Sequence, residues 1–189
     1  MNNFFKNSDE QIDSLCNTVL SPGFFWSRRY EYPFALKFVE KDDVVLDAAC
    51  GTYHPLKFAL SELCQTYACD LDDAEINDKI IFTKCNVASL PYQDGMFDKV
   101  FCISSLEHMD LKTISAAILE FKRVLKQDGK LIITIDYPTL DPKNLLGMLN
   151  EVGFETGESV FDTEDAIKSD YFGGLLCYHI AASKIDVLK

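Results

Sequence analysis

The chain has 189 residues, 48% of them apolar and 25% charged, a balance that builds one sizeable core and excludes disordered and fibrous classes. Its formal net charge of −12 sets up a negative surface field that repels polyanions. Arg28-Arg29 and Lys122-Arg123 are the only adjacent basic pairs, and the second is assigned to a solvated helix face, so a nucleic-acid partner is disfavoured.

From the N-terminus, Met1–Lys6 carries no apolar run of signal-peptide length, and no segment approaches a membrane span. Residues 8–20 read as a helix opened by Ser8 and Gln11 at capping-box spacing and stopped by Ser21-Pro22-Gly23. An aromatic and arginine-dense segment, residues 24–33, follows, and then a short helix over Phe34–Val39. A buried strand ends at Val44-Val45-Leu46-Asp47-Ala48, and a helix is expected over Pro55–Cys64. Gln65–Cys69 is the second strand and Ile80–Cys85 the third, and the acidic link Leu71–Lys79 between them is too short for a crossover helix. Leu90–Gly95 is a turn, Lys99–Ser104 a fourth strand, and Leu111–Lys126 an amphipathic helix with Ile114, Ile118, Phe121 and Leu125 on its apolar side. Asp128-Gly129 breaks that helix before a fifth strand, Lys130–Ile135. A helix over Pro142–Val152, a weak strand at Glu158–Phe161 and a late strand over Leu175–Lys184 complete the chain. Strands alternating with helices imply a parallel sheet with helices on both faces.

Seven cysteines without paired spacing behave as reduced, mostly buried thiols, so a reducing cytoplasm is the expected compartment. Three histidines far apart in sequence give a metal site little support. The chemistry concentrates where the first strand empties into Asp47-Ala48-Ala49-Cys50-Gly51-Thr52. An acid followed by small residues makes a turn whose backbone a ligand can approach closely. About twenty residues on, the second strand delivers another acid, Asp70, to the same end of the sheet. Two such carboxylates suit a nucleoside, the second accepting hydrogen bonds from the ribose diol.

This pair resembles the first two motifs of the class I S-adenosylmethionine-dependent methyltransferases, specifically the small-molecule type. The likeness runs from about Val44 to Gly153. Leu90-Pro91-Tyr92-Gln93-Asp94-Gly95-Met96-Phe97-Asp98 is similar to that family's "LPF-x-DGSFD" segment, Leu106-Glu107-His108 to its "LEH" segment, and Glu120–Lys130 to its "E-x-x-RVLKPGG" helix end. The resemblance implies a Rossmann-like, doubly wound, mainly parallel α/β sheet with an antiparallel C-terminal strand. It makes the chain a single domain, with residues 1–40 as a helical and aromatic lid and 41–189 as the core. S-adenosylmethionine is the implied cofactor and a small or modest-sized molecule the implied acceptor, through oxygen or nitrogen rather than carbon. No metal and no membrane partner are expected.

Carried over residue by residue, Asp47, Ala49 and Gly51 stand at the first motif, with Tyr53 where the family has a third small residue. Asp70 stands at the ribose, Leu71 against the adenine, and Asn86 where the family usually has an aspartate facing the adenine amine, with Val87 beside it. Ser104 closes the cofactor side. His108 is the expected catalytic residue, orienting the acceptor or taking its proton, and Asp136, Tyr137 and Tyr30 are expected at the acceptor. Trp26, Arg28, Tyr30 and Tyr32 are expected to cover the cofactor. Each has a structural competitor: Asp70 as a cap or loop acid, Asn86 as a turn residue, His108 as a loop holder, Asp136 as a helix-entry acid. A nicotinamide dehydrogenase is disfavoured, since Ala49–His54 lacks the G-x-G-x-x-G turn for a pyrophosphate. A binding or regulatory protein that keeps the fold without catalysis is the alternative from a different class.

Overall fold

The sheet is assembled on an apolar centre. In the computed structural model, which describes residues 1–9, 26–170 and 172–185, β2 (Val44–Ala48) pairs in parallel with β3 (Gln65–Asp70) on one side and β5 (Phe97–Ile103) on the other. Outward from β3 lies β4 (Ile80–Lys84), and outward from β5 lie β6 (Leu125–Tyr137) and the antiparallel β8 (Leu176–Lys184). Two short strands, β1 (Asn3–Phe4) and β7 (Phe154–Glu155), both pair antiparallel with β8. The order β1-β8-β6-β5-β2-β3-β4 reverses its direction of growth between β2 and β5, and open α/β sheets hold their ligands at the carboxyl ends of strands at such a point.

Alternate residues of each strand face opposite layers. Leu46, Val100, Cys102, Leu131 and Ile133 meet α3 (Leu111–Val124) and α4 (Pro142–Glu151) through Ile118, Phe121, Leu145 and Leu149. Val45, Phe101, Ile103 and Ile132 meet α1 (Arg28–Leu36) and α2 (Leu56–Ser61) through Tyr32, Ala35, Leu56 and Leu60. Asp110 caps α3 by accepting from the Thr113 amide at 2.8 Å, and Asp141 caps α4 by accepting from that of Lys143 at 2.8 Å, with Pro142 at the first helical position.

Several expectations are corrected. The helix anticipated over Phe34–Val39 is α1, which starts at Arg28 and ends at Leu36. Pro33 is tolerated inside it at the loss of one backbone bond. The expected break at Asp128-Gly129 is instead a looped-out stretch within β6: Leu125 already pairs with Phe97, residues 126–129 bulge with Asp128 at φ 63°, and Lys130 resumes pairing with Lys99. The strand expected at Glu158–Phe161 is a single bridge between Ser159 and Asn2. The helix expected at 8–20 lies almost wholly outside the described residues. As anticipated, the link from Leu71 to Lys79 contains no crossover helix; it is a loop, leaving β4 a bare edge. No helix among the described residues is long and apolar enough to cross a membrane.

Arg123 is not on a solvated face. It donates to Glu120, to the Asp94 carboxylate at 2.8 Å, and to the carbonyls of Tyr92 and Leu90 at 2.7 and 2.9 Å, while Glu120 accepts from the Leu90 amide at 2.7 Å. Lys122 donates to the carbonyl of Val152. The 90–98 and 120–130 segments of the family resemblance are thus two halves of one clamp that fixes the turn before β5. Their role is architectural.

Candidate functional site

The carboxyl end of β2 runs into a turn that inverts the backbone twice: Ala49 sits at φ 57° and Gly51 at φ 65°. The second inversion requires glycine, because a Cβ at residue 51 would lie 2.3 Å from Cδ2 of His54. Beneath the turn, Lys57 of α2 is fully buried and donates its three ammonium protons to the carbonyls of Gly51 (2.9 Å), His54 (2.9 Å) and Thr52 (3.3 Å). From β3, the Asp70 carboxylate accepts the Gly51 amide at 2.8 Å and the Asp72 amide at 3.1 Å, so the second acid is tied to the first motif's turn. Carboxylate oxygens hold further lone pairs, so Asp70 keeps acceptor capacity toward a ligand.

A cavity of about 540 Å³ opens over these strand ends. Its floor is Asp47, Ala49, Cys50 and Gly51. One wall is Asp70, Leu71, Cys85, Asn86 and Val87, and the opposite wall is Ser104, Ser105, His108 and Met109. Arg28, Tyr32 and His54 close the remaining side. Asp47 is 3% exposed, and its Oδ2 meets no donor among the described residues. Burial, reinforced by Asp70, pushes its carboxyl up to about 7, against the opposing pull of Lys57. Burial together with the charges of Arg28 and Lys57 lowers His54 to about 4, leaving a neutral imidazole whose Nδ1 lies 3.3 Å from the Tyr32 hydroxyl.

Arg28 reaches this side because α1 is pinned across the strand ends by a wholly buried carboxylate. Glu31 binds the Arg28 guanidinium. It also accepts from the hydroxyls of Ser27 (3.1 Å), Ser104 (2.6 Å) and Thr134 (2.5 Å) and from the Cys177 thiol (3.2 Å). Burial alone raises a carboxyl, but here Arg28 and these donors win and hold Glu31 below its ordinary value. Two further acids sit behind: buried Glu107, whose Oε1 accepts the Asp136 amide at 3.3 Å and whose carboxyl burial lifts to about 8, and half-buried Asp136, lifted by desolvation to about 6.

Of the residues expected from sequence, Asp47, Ala49, Gly51, Asp70, Leu71, Asn86, Val87, Ser104 and His108 line one cavity. Four do not. Tyr53 lies at the tip of the turn, 47% exposed, outside the lining. Tyr30 packs with Phe5, Ile167 and Cys177, because Arg28 and Tyr32 share one helical face and the residue midway between them points away. Tyr137 packs edge-on against Phe4, 5.6 Å between centroids, and Asp136 sits behind Glu107 rather than at the lining. Within the lining, Ser104 directs its hydroxyl to Glu31, and Asn86 Oδ1 accepts the Ala88 amide at 2.9 Å, closing its own turn. His108 is exposed at the rim, ending the short 3₁₀ turn Leu106–His108. Sequence reasoning passed over Glu31 and Lys57. The i,i+3 spacing of Arg28 and Glu31 was a legible signal for the first; a buried lysine at the start of a helix has none.

The sequence pattern of the methyltransferase domain family matches residues 46–133. An uncharacterised protein of Methanocaldococcus jannaschii is 32% identical over 100 residues, which is 51% of this chain and 42% of that protein, so the match spans less than half of the relative's length. Among solved structures, a SAM-dependent methyltransferase of Methanosarcina mazei aligns with TM-score 0.65 at 20% identity, over 82% of this chain and 98% of that one. This is the class I methyltransferase fold, with the methyltransferase-domain pattern confined to residues 46–133. A Burkholderia thailandensis 1,6-didemethyltoxoflavin-N1-methyltransferase, solved with 1,6-didemethyltoxoflavin and S-adenosylhomocysteine bound, aligns with TM-score 0.68 at 17% identity, over 84% of this chain and 78% of that one. In this methyltransferase-type core the expected Rossmann-like arrangement holds, including the antiparallel last strand.

Proposed function

We propose that this chain transfers a methyl group from S-adenosylmethionine to a small acceptor, through an oxygen or nitrogen nucleophile, in the cytoplasm. The carrying observation is the Asp70 carboxylate bonded to the Gly51 amide at the floor of a 540 Å³ cavity, where a ribose diol meets acceptor oxygens already held in place. The orphaned, buried Oδ2 of Asp47 fits the group: it lacks a donor, and the cofactor's ammonium is one. Leu71 and Val87 offer apolar surface to the adenine, beside Asn86.

When bound, the cofactor supplies an electrophilic methyl on a sulfonium centre. The chain's own task is to align a nucleophile with it and exclude water. The neutral state of His54 keeps a second cation from repelling the sulfonium. His108, at the rim, takes the acceptor's proton or orients its lone pair. Replacement His108→Ala is expected to lower turnover while leaving calorimetric affinity for S-adenosylhomocysteine nearly intact. Full activity in that variant removes His108 from the chemistry. Calorimetry with S-adenosylmethionine and S-adenosylhomocysteine tests the reading as a whole, and absence of binding to both overturns it.

Two observations favour the second reading, a cofactor-binding protein without catalysis. Ala49 occupies a left-handed backbone position that the family fills with glycine, and Asn86 turns its oxygen to its own loop. Cofactor binding with no S-adenosylhomocysteine released across a panel of amines, phenols and alcohols is the result that selects it.

A further inference from the structure

We propose that Glu31 is a positioning residue: it fixes the Arg28 guanidinium in the cavity wall, where Arg28 takes the carboxylate of the cofactor's amino-acid end. This rests on the cofactor reading above and adds a residue that touches no ligand.

Glu31 has no solvent exposure and touches three strand ends at once, through Ser104 after β5, Thr134 of β6 and Cys177 of β8. One carboxylate therefore sutures α1 to half the sheet. Four neutral donors share its negative charge with Arg28, so the guanidinium is held without being fully neutralised. Arg28 commits Nη1 to Glu31 and Ser27, and Nε points toward His54 Nδ1 at 3.5 Å. Its Nη2 carries no hydrogen bond among the described residues, although the side chain lines the cavity. A guanidinium with two unengaged N–H groups in a part-buried wall is a carboxylate receptor. Asp47, close enough to feel the Arg28 charge, presents the opposite unpartnered group on the floor. A cation and an unpartnered carboxyl on one cavity surface match the two ends of a zwitterion, which is the form of an α-amino acid end. Arginine suits this position because burial opposes its charge and Glu31 restores it, so its proton is held more tightly than usual.

The test compares two ligands: S-adenosylhomocysteine, which carries the amino-acid end, and 5′-methylthioadenosine, which lacks it. The wild-type chain is expected to bind both. Glu31→Gln, which keeps the shape and removes the charge, is expected to weaken S-adenosylhomocysteine about tenfold or more, the scale of a hydrogen bond to a charged group, with 5′-methylthioadenosine unchanged. Arg28→Met should reproduce that selective loss. Thr134→Val, which removes one donor to Glu31 without touching Arg28, should lower the melting temperature and leave the affinity ratio of the two ligands where it was. Equal weakening of both ligands in Glu31→Gln means a purely structural role and overturns the proposal. If Glu31→Gln fails to fold, an unchanged ratio in folded Arg28→Met overturns it instead. Failure of the wild type to bind either ligand overturns the cofactor reading itself, a different outcome from any of these.

Discussion

At Asp47 burial and chemistry pull against each other, since the carboxylate best placed to meet a cation is the one that its surroundings keep protonated to about 7. The unfolded value is 3.8, so the folded protein holds an extra proton between about 4 and 7, and the stability this contributes is present at low pH and lost as pH rises through that window. Glu107 and Asp136 act with the same sign, up to about 8 and about 6, while His54 and His179 of β8, each lowered to about 4 chiefly by burial, act oppositely below 6.5. The Asp47 share therefore appears only as a difference. Asp47→Asn should raise the melting temperature more at pH 8 than at pH 5. Affinity for S-adenosylmethionine should rise through pH 7 in the wild type and stay flat in the variant; parallel pH curves for the two proteins sink this assignment. Gly51 is constrained by space and by backbone together. Gly51→Ala places a Cβ against the His54 ring in a left-handed conformation that alone costs roughly 1–2 kcal/mol, so folding stability should drop by at least that much, seen as a lower melting temperature, and cofactor affinity should fall with it. An alanine variant with wild-type melting and binding would show that the turn relaxes freely.

Elements were legible where one short-range signal decided them. The apolar runs of β2, β3 and β5 and the acids that end the first two declare parallel strands with a ligand edge, and the cavity floor follows from them. The local signal fails where tertiary contacts outweigh it. Pro33 looks like a helix boundary, yet α1 runs through it because Glu31 anchors the preceding turn from three strands distant in sequence. Asp128-Gly129 looks like a break, yet β6 begins before it because Leu125 pairs with Phe97. Nothing in the sequence sets the phase of Tyr30, which is expected at the acceptor; with the helix start at Arg28, its direction away from the cavity follows. α2 shows an element whose value lies in a single side chain. It is only six residues long, and Lys57 is its contribution to the site. Lys57→Met should fill the same space and leave the carbonyls of Gly51, Thr52 and His54 without their donor. We expect a loss of about 1–3 kcal/mol, the cost of unsatisfied buried polar groups, and weaker cofactor binding. Differential scanning calorimetry and titration on one preparation check this, and unchanged affinity separates α2 from the site.

At the scale of the molecule, the sheet order brings opposite requirements to one edge. The parallel strands direct Asp47 and Asp70 to the same end, and the missing β3–β4 helix leaves Asp72, Asp73, Glu75 and Asp78 in the loop beside it. Among the described residues, Lys84 pairs with Asp73 at 3.0 Å and Arg28 with Glu31, while Lys57 keeps its charge against backbone carbonyls. The acids at this end outnumber these cations, so the local field has the sign of the whole chain, −12. Such a field concentrates a cation at the cavity and is screened over a Debye length of about 8 Å at physiological ionic strength. S-adenosylmethionine carries one more positive charge than S-adenosylhomocysteine and is otherwise nearly the same shape, so the pair isolates electrostatics from fit. Raising salt from about 10 mM to about 150 mM, a span over which the screening length falls from roughly 30 to 8 Å, should weaken S-adenosylmethionine binding more than that of its demethylated product. An affinity ratio independent of salt would mean that the acidic edge lies too far from the sulfonium to act on it. In that case any preference for the charged cofactor would rest on groups inside the cavity, where screening reaches least.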